Sequence, residues 1–121
     1  YKGNVEFIKA GSSPTYIKNN KKVQIVKSNT LPTGVVKNIS KEVISRQVEN
    51  ETLIFMCTDG VIDSNIEYKN KSLWIKYILE DIENTNPQKV ADMILNEAVD
   101  NNYGKVKDDM SILAFKVVKK Q

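Results

Sequence analysis

Histidine is absent from the 121 residues, and this absence excludes more chemistry than any other feature of the chain. Neither a Ser-His-Asp nor a Cys-His arrangement can be built, and His-ligated zinc is excluded. Any metal must be held by oxygen, which points to magnesium or manganese. Cysteine is nearly absent too. Cys57 has no intrachain partner and lies in an apolar run, so it reads as a small core residue suited to a reducing compartment. Arg46 is the only arginine, and the net charge of +3 comes from lysines spread along the chain. Base readout leans on arginine, and single-strand binding on aromatics interleaved with positive charge. Neither pattern is present, so no nucleic-acid partner is expected. The longest apolar run is five residues, far short of the roughly 20 that span a bilayer, so no membrane contact by this chain is expected either. No charged leader precedes an apolar run after Tyr1, so no signal peptide is expected. The chain reads as one domain, 1–121, excised from a longer protein, with any membrane anchor outside it.

That five-residue run, Leu53-Ile54-Phe55-Met56-Cys57, is what the rest is arranged around. It is too short for an ordinary helix and reads as a fully buried strand. Thr58-Asp59-Gly60 follows, which puts a carboxylate at the rim of a core and a glycine where the backbone must turn or approach something closely. A type I′ hairpin turn is the plain alternative. It needs a second strand at once, whereas Val61-Ile62 runs into the turn and cap residues Asp63-Ser64-Asn65.

Before this strand the chain reads as β. Val5, Phe7 and Ile8 form one short strand and Thr15-Tyr16-Ile17 another. Asn19-Asn20-Lys21 turns the chain into an alternating segment around Val23 and Ile25, and the alternation resumes from Glu42 to Val48. These pieces predict an antiparallel meander. Gly11-Ser12-Ser13-Pro14 reads most simply as a loop, and Leu31-Pro32-Thr33-Gly34 as a tight turn.

After Asp63 the period changes. Ser72 is placed to cap a helix with Leu73, Tyr77, Ile78 and Ile82 on its apolar stripe. Asn86 caps a second helix with Pro87 at its first position, burying Val90, Ala91, Ile94, Leu95 and Ala98. Lys107-Asp108-Asp109 then leads into a closing strand over Met110–Val117. Strands, then helices, then a returning strand predict an α+β layered domain.

Asp59 ends one buried strand and Asp108-Asp109 begins another. If the two are antiparallel neighbours, their carboxylates converge. At about 4 Å and an effective dielectric of ~20, two carboxylates repel by roughly 4 kcal/mol. Such a cluster persists with a shared proton or with a divalent cation between the acids. Hard oxygens favour the cation, and a metal-activated water then suffices for phosphoester hydrolysis without a protein nucleophile. Solvated loop acids before a strand are the plain alternative for Asp108 and Asp109.

Thr58-Asp59-Gly60-Val61 after an apolar strand, with Asp108-Asp109-Met110-Ser111 before the last strand, resembles the metal-dependent Ser/Thr protein phosphatases of the protein phosphatase 2C (PPM) family. The run Lys9–Lys18 and Leu31-Pro32-Thr33-Gly34-Val35 resemble, more narrowly, its stage II sporulation protein E branch. The resemblance covers nearly the whole chain but only the second half of the family's catalytic domain. It implies antiparallel sheets flanked by helices, in a layered sandwich with two Mn²⁺ or Mg²⁺ ions. It implies Asp59 and Asp108 as metal ligands, no catalytic side chain beyond them, at most a supporting role for Asp109, and a weaker candidacy for Asp63. Ser12 and Ser13 stand where many bacterial relatives carry a His-containing loop. The implied reaction is hydrolysis of phosphoserine on an anti-anti-sigma factor, which activates a sporulation sigma factor. A cell-division protein is a further implied partner of a membrane-anchored parent whose phosphatase domain is cytoplasmic.

The upstream Asp-Gly motif of that family has no counterpart before Asp59. The 121 residues alone are therefore expected to bind metal weakly, to hydrolyse phosphoesters poorly or not at all, and to self-associate through unpaired strand edges. The alternative function is a catalytically incomplete binding or regulatory module.

Overall fold

A computed structural model describes residues 3–9, 13–27, 42–83 and 86–119. Among the described residues, six strands and three helices follow one another: β1 (Asn4–Lys9), β2 (Thr15–Asn19), β3 (Lys22–Val26), β4 (Glu42–Gln47), β5 (Thr52–Cys57), α1 (Asp59–Ile62), α2 (Leu73–Asp81), α3 (Pro87–Asn101) and β6 (Ile112–Val117). The layered α+β expectation holds, with all described strand pairs antiparallel. The sheets depart from a simple meander. β3-β2-β5-β6 form one four-stranded sheet, whereas β1 pairs with β4 in a separate two-stranded sheet. Alternation reports which strands have a buried face; it does not report which strand each one joins.

β5 is central because it is apolar on both faces, and its neighbours cover both edges. Tyr16 pairs with Phe55 across β2–β5, their rings edge-on with centroids 5.9 Å apart. Alternate β5 residues, Leu53, Phe55 and Cys57, point into the main core with Tyr16. Helices α2 and α3 close that face with Trp74, Ile75, Leu79, Val90, Ile94 and Ala98. Each large side chain so buried contributes roughly 1.5–3 kcal/mol. On the opposite face Ile17, Val26 and Val48 pack with Val5, Phe7 and Ile44, so β1–β4 lies over the β2–β3 side of the sheet.

The buried stripe of α2 is Trp74, Ile75 and Leu79, joined by Ile82; Tyr77, expected inside, is exposed, and Leu73 is only partly buried. Apolar residues fall almost all round this helix, and tertiary packing selects the face that meets Tyr16 and Phe55. Trp74 is anchored further by its indole N–H, which donates to the Ile62 carbonyl at 2.9 Å. Ser72 stands at the N-cap of α2 as expected, without the side-chain cap bond. Its hydroxyl donates to the Asn70 side chain at 2.7 Å. Asn86 does cap α3, accepting from the backbone of Gln88 and Lys89, with Pro87 following.

Lys18 is buried in β2 and donates its ammonium to the carbonyls of Leu79 and Ile82, the latter at 2.7 Å. It thereby satisfies backbone groups left open at the C-terminal end of α2. Burial lowers its pKa from the ordinary lysine value, while Asp81 and Glu80 oppose that shift.

Candidate active site

The local cause of the site is the end of β5. The β5–β6 ladder runs from Thr52↔Val117 to Cys57↔Ile112, and the Thr58 N–H extends it by donating to the Ser111 carbonyl at 3.0 Å. Asp59 follows on β5's side and Asp108 precedes on β6's side, so the two acids lie at the same end of adjacent antiparallel strands. Both are exposed.

Thr58 ties the two segments together. Its hydroxyl donates to the Asp109 carbonyl at 3.1 Å and accepts the Ser111 N–H at 3.0 Å. The crowding around Gly60 explains why the turn carries glycine. A Cβ there would lie 2.2 Å from the Asp109 carbonyl oxygen and 3.3 Å from the Asp108 Cβ. The close approach anticipated for this glycine is thus to the backbone of the second acidic segment. On the β6 side, Asp108 Oδ1 accepts the Asp109 N–H at 2.8 Å, which orients its carboxylate. On the β5 side, the Ser13 hydroxyl donates to Asp59 Oδ1 at 2.5 Å.

The remaining candidates fall into place around this pair. Asp109 contributes backbone, through its carbonyl. Asp63 closes α1, and its carboxylate meets Lys71 at 4.0 Å, an exposed pairing of the kind worth about 0–1 kcal/mol. Cys57 is buried just before the site, and its thiol is pushed up to about 12, first by burial and then by the negative charge of Asp59. It packs in the main core. Gly11, Ser12 and Leu31–Val35 lie outside the described residues.

As a donor set, Asp59 and Asp108 suit magnesium or manganese in kind, being hard oxygens on an accessible rim. Among the described residues, no cluster of three or more acidic or cysteine side chains forms around them that could hold a metal ion. The two acids are thus a pair of hard oxygen donors at one rim and not a complete set of metal ligands among the described residues.

Two kinds of contact escaped the sequence reading. Thr58 and Ser111 are legible in retrospect as the polar residues flanking the two acids. Ser13 carried no local signal, because its partner lies 46 residues away.

This architecture is of the protein phosphatase 2C type. The solved phosphatase domain of the cell fate determinant SpoIIE from Bacillus subtilis (Mn presoaked) matches it with a TM-score of 0.83 at 25% identity, over 98% of this chain and 52% of that one. The PP2C phosphatase domain of the same protein, solved with a fragment of its regulatory domain, matches with a TM-score of 0.84 at 30% identity, over 92% of this chain and 34% of that one. The family model for stage II sporulation protein E matches residues 1–118, and the chain belongs to that family. Stage II sporulation protein E of Priestia megaterium is 32% identical over 114 residues, which are 94% of this chain and 20% of that protein. The chain thus spans about half of a solved phosphatase domain and one fifth of that curated relative. Among the described residues, no helix is long and apolar enough to cross a membrane.

Proposed function

We propose that this chain supplies the C-terminal part of a metal-dependent protein serine/threonine phosphatase domain, with Asp59 and Asp108 as ligands of Mn²⁺ or Mg²⁺. The observation that carries this reading is the antiparallel β5–β6 pairing, which brings the Thr58-Asp59-Gly60 turn against Asp108-Asp109 so closely that only glycine fits between them. When bound, the ions acidify a water and orient it for in-line attack on phosphorus. The chain's own part is to hold the two carboxylates in register at an open rim, with the Thr58 hydroxyl and the Asp109 carbonyl fixing their separation. Family membership supports sporulation as the setting. A phosphorylated anti-anti-sigma factor is then the substrate, a cell-division protein a further partner of the parent, and the cytoplasmic side of a membrane-anchored parent the location.

The test is Mn²⁺-dependent hydrolysis of a phosphoserine protein by the intact protein that carries this chain, beside its Asp59→Asn and Asp108→Asn variants. Each variant is expected to lose more than about 100-fold in turnover, beyond the range usual for residues outside the ligand set. A variant retaining near-normal turnover removes that residue from the site.

A further inference from the structure

Ser13 is the described residue whose side chain reaches a proposed ligand from outside the two acidic segments. It lies between β1 and β2, and its hydroxyl donates to Oδ1 of Asp59 at 2.5 Å. A charge-assisted O–H···O⁻ bond falls at about 2.5–2.7 Å, so the contact is at the strong end for this chemistry. Asp59 is exposed, and an exposed carboxylate without such a donor rotates freely about χ2, presenting either oxygen to solvent. With Oδ1 engaged, its orientation is restricted and Oδ2 is the oxygen left for a cation. Carboxylate ligands are commonly oriented by outer hydrogen bonds of this kind, whose removal typically costs about 10–100-fold in metal affinity.

We infer that Ser13 is a positioning residue that orients the Asp59 carboxylate for a divalent cation through its hydroxyl. The inference rests on the metal-site reading proposed above. It also gives Ser13, which the sequence places in a loop where many relatives carry histidine, a definite role, since the residue brings a donor from the β1–β2 connection to the end of β5. Proline or alanine at position 13 could not supply that donor, and threonine could.

The test is Mn²⁺ binding by the intact protein that carries this chain, followed by titration calorimetry in wild type, Ser13→Ala and Ser13→Thr, with the unfolding temperature of each metal-free protein measured alongside. Ser13→Ala is expected to weaken Mn²⁺ binding by about 10-fold or more. Ser13→Thr is expected to stay within about 3-fold of wild type, because the hydroxyl is retained. The metal-free unfolding temperature is expected to fall by no more than a few degrees in Ser13→Ala, the loss of one hydrogen bond, and to stay at the wild-type value in Ser13→Thr. In turnover, the Mn²⁺ concentration for half-activity should rise in Ser13→Ala, while kcat at saturating Mn²⁺ recovers. Unchanged affinity in Ser13→Ala overturns the inference. So does equal weakening in Ser13→Thr, or a metal-free unfolding temperature in Ser13→Ala lowered by more than about 10 °C, since either assigns the residue to packing. Absence of Mn²⁺ binding in wild type is a different failure and defeats the metal-site reading itself.

Discussion

The two faces of the four-stranded sheet are finished to different degrees. One is closed: Tyr16, Leu53 and Phe55 lie under Trp74, Ile75, Leu79 and Ile94, each at most 2% exposed. On the other, β1–β4 packs over Ile17, Val26 and Val48, a cluster that also takes in Val117 at the end of β6. Toward β6, Leu113 and Phe115 are 57% and 37% exposed. The acidic rim lies where β5 and β6 meet at one end of this sheet, and polar contacts hold it there: Thr58 to Asp109 and Ser111, Ser13 to Asp59. The closed face therefore carries stability and the rim carries the candidate chemistry. Disturbing one should leave a different signature from disturbing the other.

The sharpest break is on the closed face. Trp74→Ala removes the largest fully buried side chain and its bond to the Ile62 carbonyl. It should cost about 3–5 kcal/mol in denaturant unfolding. A loss under about 1 kcal/mol would mean that the helix layer is not what holds the sheet. Gly60→Ala addresses the rim. Backbone, not a flexible side chain, occupies the space its Cβ needs, so the two acidic segments must separate. About 1–3 kcal/mol is expected, together with weaker Mn²⁺ binding by the intact protein. Retained affinity with lowered stability would uncouple the approach of the two segments from metal binding. Leu113→Ser on the open face should change the stability of this chain by no more than about 0.5 kcal/mol. A much larger loss would show that this face is covered, and self-association in sedimentation would be the first explanation to examine.

Much of this division was legible in the chain. The apolar run Leu53–Cys57 declared a strand buried on both faces, Asn86-Pro87 declared the start of α3, and an acid at each strand end declared the rim. The α2 face was not legible. Leu73, Trp74, Ile75, Tyr77, Ile78 and Leu79 leave little polar boundary, and the selection comes from Tyr16 and Phe55 beneath the helix. Nor was the departure of β1 and β4 into their own sheet, because pairing between strands so far apart in sequence is decided by packing on Ile17, Val26 and Val48. Ser13 stayed hidden for the same reason: a hydroxyl in a Gly-Ser-Ser-Pro stretch carries no mark of its distant carboxylate. Local rules reach caps, turns and faces, and the long-range contacts that complete the rim lie beyond them.

The central claim is that Asp59 and Asp108 share a divalent cation. Its most direct test is anomalous diffraction from Mn²⁺-soaked crystals of the intact protein that carries this chain. A manganese peak is expected within coordination distance, about 2.0–2.3 Å, of oxygens from both Asp59 and Asp108. Manganese bound elsewhere, with both carboxylates directed only to solvent, would contradict it.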